Sequence, residues 1–364
     1  MSTKTLSMKL AAGTNKLAKT TAPVVIAGPC SAESEEQMLQ TALGLKKLQS
    51  VSIFRAGIWK PRTRPGSFQG VGTVGLEWLR TVKQETGLRT ACEVANADHV
   101  AEALKHEVDI LLIGAHTTVN SFLVQEIADA VKGVDIPVLV KNPVSPDLLL
   151  WIGALERFNN SGISDLGVIH RGFSTIDNAP YRNHPKWDHV AELKSQLPDL
   201  PVYCDASHIA GRRSLLRPVS QRAIDLGYDG LMVETHHNPV KALSDPHQQL
   251  MPPELDMLLQ ALNMQGNDPE EARSVVLQEE WRKEIEYLDD ELMDLLARRT
   301  ALSEKLGTNR QGNSSEAEEA WDQVLENLLL QANSFGMNKE FVKTVFQEVR
   351  KQYAQTHLYC DMGA

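Results

Sequence analysis

Across the first 250 residues, groups able to do chemistry recur where short apolar runs stop. In order they are Cys30, Arg55 with Lys60 and Arg62, Glu93, His116, Lys141, Arg171, Asp205 with His208, and Glu234 with His236; Asp245 follows. Two sets separate. Cys30, His208, Glu234 and Asp245 offer a thiol, an imidazole and two carboxylates, a mixture that suits a divalent transition metal. Arg55, Lys60, Arg62, Lys141 and Arg171 are cations suited to small polyanions, above all phosphates and carboxylates. Taken singly, each has a plainer reading: a lone cysteine packs as a small hydrophobe, and an arginine at a strand end pairs with a nearby carboxylate. Their recurrence at the ends of successive runs is what points to a metal-dependent enzyme.

Something must bring those run ends together. The runs are Val24–Pro29, Ser52–Gly57, Arg89–Val94, Ile110–Ala115, Pro137–Asn142, Leu166–Arg171, Pro201–Ser207 and Gly230–His236. Most are continuously apolar, as parallel strands buried on both faces are. Helical spacing fills the gaps, as in Ser34–Leu48, Gly75–Thr86, Ala97–Lys105 and Asn120–Val131, with Pro252–Leu262 as the eighth helix. Eight such units predict a (β/α)8 TIM barrel, whose active-site groups gather at the C-terminal ends of its strands. The competing α/β topology is an open doubly wound sheet, but no G-x-G-x-x-G follows the first run.

The texture changes after Leu262. Residues 263–269 read as a linker, with Asp268 as an N-cap and Pro269 at the first helical position. Trp281, Ile285, Leu288, Leu292, Leu295, Leu296, Leu302 and Leu306 then recur every three or four residues, predicting one long amphipathic helix. Two more helices follow, about Glu316–Ala332 and Lys339–Gln355. The expected organisation is therefore a barrel over 1–262, a linker over 263–269 and a small all-α domain over 270–364. Three helices cannot bury so long a stripe alone, so the tail is expected to pair with a second copy, giving a dimer or a tetramer, or with the barrel.

Composition narrows the partners. The chain has 364 residues and a formal net charge of −10, with 5% aromatic residues, a poor match to nucleic acid or anionic membranes. Residues 268–364 carry 20 acids against 11 Lys and Arg, so nearly all the excess lies on the tail. Four cysteines make no disulfide framework, and neither a secretory signal nor an apolar span is evident; a cytoplasmic protein is expected.

G-P-C at 28–30, R-A-G at 55–57 and K-P-R-T-x-P-x-S-F-Q-G at 60–70 closely resemble 3-deoxy-D-arabino-heptulosonate 7-phosphate (DAHP) synthase of type I. V-L-V-K at 138–141, H-R-G at 170–172, S-H at 207–208, V-E-T-H at 233–236 and S-D-x-x-Q at 244–248 extend the resemblance over about 24–250. It implies condensation of phosphoenolpyruvate with erythrose 4-phosphate, the entry step to chorismate and the aromatic amino acids. It further implies a divalent metal (Mn2+, Fe2+, Co2+ or Zn2+) on Cys30, His208, Glu234 and Asp245. Phosphoenolpyruvate would lie against Arg55, Lys60, Lys141 and Arg171, and the aldose phosphate against Arg62 and Thr63. Lys60 and His208 are the catalytic candidates. Two departures stand out: His116 occupies the place of a family arginine that contacts a substrate phosphate, and Ala206 replaces a proline. A sibling enzyme, 3-deoxy-octulosonate 8-phosphate synthase, carries Lys-Ala-Asn-Arg-Ser where this chain has Lys60-Pro61-Arg62-Thr63. A turnover-deficient ligand sensor is the reading of another class.

The tail is similar to the all-helical chorismate mutases, a fusion seen in the β subgroup of these synthases. The resemblance implies a site for chorismate or prephenate built from Arg282, Arg299 and Arg310. The second helix departs from the pattern, with the acidic run Glu316-Ala317-Glu318-Glu319 and Ala320 near the place of an arginine. An active mutase and a non-catalytic dimerisation or feedback-sensing module both remain open at this level.

Overall fold

The computed structural model describes residues 23–60, 66–174, 180–264, 268–307 and 314–361. Eight parallel strands close in sequence order: β1 Val24–Gly28, β2 Val51–Ala56, β3 Arg89–Val94, β4 Ile110–Ile113, β5 Val138–Lys141, β6 Leu166–His170, β7 Val202–Asp205 and β8 Gly230–Glu234. The seam pairs β1 with β8 in register from Val24 with Gly230 to Gly28 with Glu234. This is the (β/α)8 barrel expected from the eight apolar runs.

Alternation along the strands explains why those runs are continuous. Val24 and Ile26 of β1 point inward, where they join Ile53, Ala91, Ile110, Leu112, Leu139, Ile169, Tyr203 and Met232 in a dry central plug. Val25 and Ala27 point outward, into the layer between sheet and helices. Both faces are therefore apolar, and no polar alternation survives. Short polar residues start the surrounding helices. Ser34, Asn96, Asn120 and Asp147 each accept a backbone N–H from the first turn of the helices Glu35–Lys46, Ala97–Lys105, Ser121–Ala130 and Leu148–Asn160. The helix that closes the barrel runs Pro252–Gln260.

The chain divides into two compact units between Glu279 and Glu280. The long helix Pro269–Gly307 crosses that boundary. Its first turns belong to the barrel unit: Asp268 Oδ1 accepts the Glu270 N–H, Arg273 donates to the Leu226 carbonyl, and Ala272 and Val276 join the barrel's outer core. In the second unit, Trp281, Ile285, Leu288, Leu292, Leu295 and Leu302 are each more than half exposed, so the unit's own packing leaves these six side chains largely uncovered. The other two helices are Ser314–Ser334 and Lys339–Asp361; Ala332 and Val342 are buried between them. No described helix is long and apolar enough to cross a membrane.

One backbone contact at the site end of the seam is unusually close. Gly28 has φ +148, and a Cβ there would lie 2.0 Å from the Arg55 carbonyl oxygen. Gly133, at φ +80, has open space around the same position. Gly28→Ala combines strain with overpacking and is expected to cost about 3 kcal/mol or more, against about 1 kcal/mol for Gly133→Ala. Urea unfolding midpoints of the two variants measure the difference; equal losses would show that the approach of β1 to β2 tolerates the methyl group.

Candidate active site

Charged residues are concentrated at the C-terminal mouth of the barrel. Arg55 leaves β2 almost fully buried, 2% exposed, with Nη1 3.3 Å from Glu234 Oε1 at the end of β8. The same nitrogen donates to the Pro29 carbonyl at 2.7 Å, so the loop after β1 is pinned to the guanidinium. Lys141 ends β5 and sits 3.0 Å from Glu93 of β3 and 3.9 Å from Asp205 of β7. Each cation is thus matched by a carboxylate from another strand, which is what makes burying either tolerable.

Cys30, Glu234 and Asp245 offer ligand atoms that all lie within 4.8 Å of one another, a group able to hold a metal ion. Cys30 Sγ is 3.3 Å from Asp245 Oδ2 and 3.1 Å from Lys60 Nζ, and Lys60 also donates to the Cys30 carbonyl at 2.9 Å. His208 stands on the flank, with Nε2 3.8 Å from Glu234 Oε1 and Nδ1 2.8 Å from Asp205 Oδ2. Asp205 also accepts the His208 N–H, capping the short helix Ala206–Ala210 that carries the imidazole. Asp205 thus stands against Nδ1 while Nε2 is the nitrogen nearest Glu234, the kind of carboxylate placement found behind metal-ligating histidines. Ala206 in place of proline leaves this cap intact. The donor set and its geometry fit a divalent transition metal.

Burial and the local field set the charge states. Burial first, and Glu234 second, push the Cys30 thiol up to about 12. Burial alone would lower the Lys60 ammonium, but Cys30 and Glu234 outweigh it and raise its pKa. Burial would raise Glu234, yet His208, Arg55 and Lys60 hold it below the usual carboxylate range. Asp245, against the same desolvation, is drawn down to about 2 by Arg182.

The cations open onto one cavity. Arg55, Lys60, Lys141 and Arg171 line it with Trp59, Glu93, His116, Arg182, His208 and Asp245. Arg171 is held by Asn183, which accepts from Nη1 at 3.0 Å, and by Asn142, which accepts its N–H at 2.7 Å. His116 follows β4 and is exposed at the same mouth. Arg62 and Thr63 lie outside the described residues. Arg182 is a residue that sequence reasoning passed over. It comes from the long connection after β6, pairs with Asp245 at 2.9 Å and donates to Gln248 at 2.8 Å. No strand end or spacing marks it. Trp59 was equally silent in sequence; its ring stacks on His99, 3.9 Å between centroids.

In the helical unit, Arg299 lies over the ring of Trp321 at 5.9 Å and Arg350 at 5.6 Å. Arg282 is exposed on the long helix, and Arg310 lies outside the described residues.

Comparison with known proteins settles the family of the larger unit. The DAHP synthetase I family matches residues 9–268. The chain belongs to that family. The chorismate mutase type II family matches residues 281–355, within the helical unit. A phospho-2-dehydro-3-deoxyheptonate aldolase of Thermotoga maritima is 36% identical over 226 residues, covering 62% of this chain and 64% of that protein, so the match spans just under two thirds of the relative. A 2-dehydro-3-deoxyphosphooctonate aldolase of Variovorax paradoxus is 28% identical, over 61% of this chain and 82% of its own. A crystal structure of the Thermotoga maritima DAHP synthase superposes with a TM-score of 0.60 at 32% identity, covering 67% of this chain and 70% of that one.

The Glu93–Lys141 pair has a measurable signature. Burial opposes the Glu93 carboxylate, but Lys141 and Lys60 bring its pKa down to about 2, below the about 4.3 of an unfolded glutamate. A depressed folded pKa contributes stability above the unfolded value, and that contribution is lost as pH falls through the folded one. Unfolding free energy should therefore decline between about pH 4.5 and pH 2, with a shallower decline in Glu93→Gln. Parallel slopes from urea titrations at each pH would remove the pair from the balance.

Proposed function

We propose that the barrel is a DAHP synthase that condenses phosphoenolpyruvate with erythrose 4-phosphate and releases phosphate. The observation that carries this is the convergence of Arg55, Lys60, Lys141 and Arg171 on one cavity beside the Cys30–Glu234–Asp245 cluster. Family membership and the resemblance of residues 60–70 support the same reaction.

Cys30, His208, Glu234 and Asp245 would hold a divalent cation, Mn2+, Fe2+, Co2+ or Zn2+. Bound there, such an ion supplies Lewis-acid polarisation of an aldehyde oxygen. The chain's own residues do the rest. Arg171, Lys141 and Arg55 bind and orient the phosphate and carboxylate of phosphoenolpyruvate, with Asn183 and Asn142 keeping Arg171 in place. Lys60, kept as an ammonium by Glu234 and Cys30, holds a proton beside the cluster and donates it to the alkoxide that forms as the new C–C bond closes. Arg62, Thr63 and His116 are assigned to the aldose phosphate. The loss of phosphoenolpyruvate phosphate needs water addition but no covalent enzyme intermediate. Three buried free cysteines, Cys30, Cys92 and Cys204, agree with a reduced, cytoplasmic setting.

For the helical tail we infer a chorismate- or prephenate-binding unit that is complete only as a dimer, supported by the exposed stripe from Trp281 to Leu302. Arg282, Arg299 and Arg310 are its candidate cations. The barrel would then occupy 1–262 and the tail 270–364, joined by 263–269, with the tail's first helical turns, up to Glu279, packed as part of the barrel unit.

Purified protein with phosphoenolpyruvate and erythrose 4-phosphate should release phosphate with Mn2+ and stop on adding EDTA. Turnover with arabinose 5-phosphate alone, or turnover indifferent to chelation, would overturn the assignment. Lys60→Met should lower kcat by about 10²–10⁴-fold, the usual worth of a positioned acid, with phosphoenolpyruvate still bound. Chorismate consumption by wild type and by Arg299→Ala reads the tail separately. A rate unchanged by the substitution excludes Arg299 from the site.

A further inference from the structure

The loop after β8 delivers Asp245 under strain. Asp245 has φ +46, left-handed backbone that a non-glycine residue adopts only when its surroundings over-determine it. The two residues ahead of it are both tied to the loop after β1, which carries Cys30. Leu243 N–H donates to Glu33 Oε1 at 2.8 Å, and Ser244 Oγ lies 2.6 Å from Ser31 Oγ. Ser31 in turn donates to Glu33 Oε1 at 3.2 Å. The second Glu33 oxygen faces His236 Nε2 at 3.5 Å. His236 Nδ1 accepts the Asn238 N–H at 2.8 Å, so its proton sits on Nε2, toward the carboxylate.

We propose that Glu33 is a positioning residue for the metal site, clamping the loops after β1 and β8 together so that Cys30 and Asp245 meet. It touches no substrate group and contributes no ligand atom to the cluster. Its carboxylate is 10% exposed and has three partners, on the loops after β1 and β8 and at the end of β8. Neither hydrogen bond alone would need a charged acceptor; a carboxylate accepts both on one oxygen while turning the other toward His236. The inference rests on reading Cys30, Glu234 and Asp245 as metal ligands.

The test measures metal binding, not turnover. Mn2+ or Co2+ dissociation constants are obtained by chelator competition for wild type, Glu33→Ala, Glu33→Gln and Glu35→Ala, well below each variant's unfolding temperature. Glu35 begins the next helix and bonds only Thr81 among the described residues, so it controls for losing a nearby charge. Glu33→Ala should weaken binding by about 10–100-fold, as removal of outer partners of metal ligands does. The thiolate-to-cobalt absorption band should fall or shift in the same variant. Glu33→Gln, which keeps an acceptor for Leu243, should recover part of the loss. A Glu33→Ala constant within twofold of wild type, or an equal loss in Glu35→Ala, overturns the clamp. Wild type that binds neither ion overturns the metal reading and the clamp with it.

Discussion

Burying many charges at once is the constraint around which this barrel is built. Arg55 is as inaccessible as a core leucine, and Glu234 beside it is fully buried; either alone would cost several kcal/mol. The other charges at the mouth are balanced in the same way, each by a group from another part of the ring. Lys60 needs Cys30 and Glu234, Lys141 needs Glu93 and Asp205, and Asp245 needs Arg182. Positive and negative groups can meet across the opening because they come from different strands. A closed sheet lets side chains from strands as far apart in sequence as β2 and β8 meet at one mouth.

That arrangement explains how net charge can mislead. A chain at −10 is a poor prospect for phosphorylated compounds, yet its cations are gathered where field lines are confined by a low-dielectric wall. The acid excess resides on the helices of the tail. There, Trp321 draws Arg299 and Arg350 toward its ring, so cations are scarce but not dispersed.

Much of this was legible before any coordinates. Both-face burial leaves a continuous apolar run, so the eight strands could be read directly, and barrel geometry then says that whatever follows each run faces one mouth. Boundaries were less legible, because Asp205 and Gly114 begin short helices where the run of apolar residues still continues. Cys30, His208, Glu234 and Asp245 could be named as candidate ligands from their types; Cys30, Glu234 and Asp245 bring donor atoms together, with His208 on the flank. Arg182 could not, since its place depends on a long connection whose path is set by contacts with the Ala206–Ala210 helix, Ile209 accepting the Arg182 N–H. Glu33 was hidden for a similar reason: Leu243 and His236 lie more than 200 residues away, and local sequence shows only a glutamate before a helix.

The seam between β1 and β8 gives the site a temporal character. Cys30 follows the first strand, Glu234 ends the last and Asp245 follows it, so the cluster joins the two extremes of the barrel. A chain emerging from the ribosome carries its thiol early and waits some 200 residues for the carboxylates. Until then a soft metal would find one ligand and no cage. Formation of the cluster therefore reports that the ring has closed, and a chain stopped short of Asp245 has no means of imitating it.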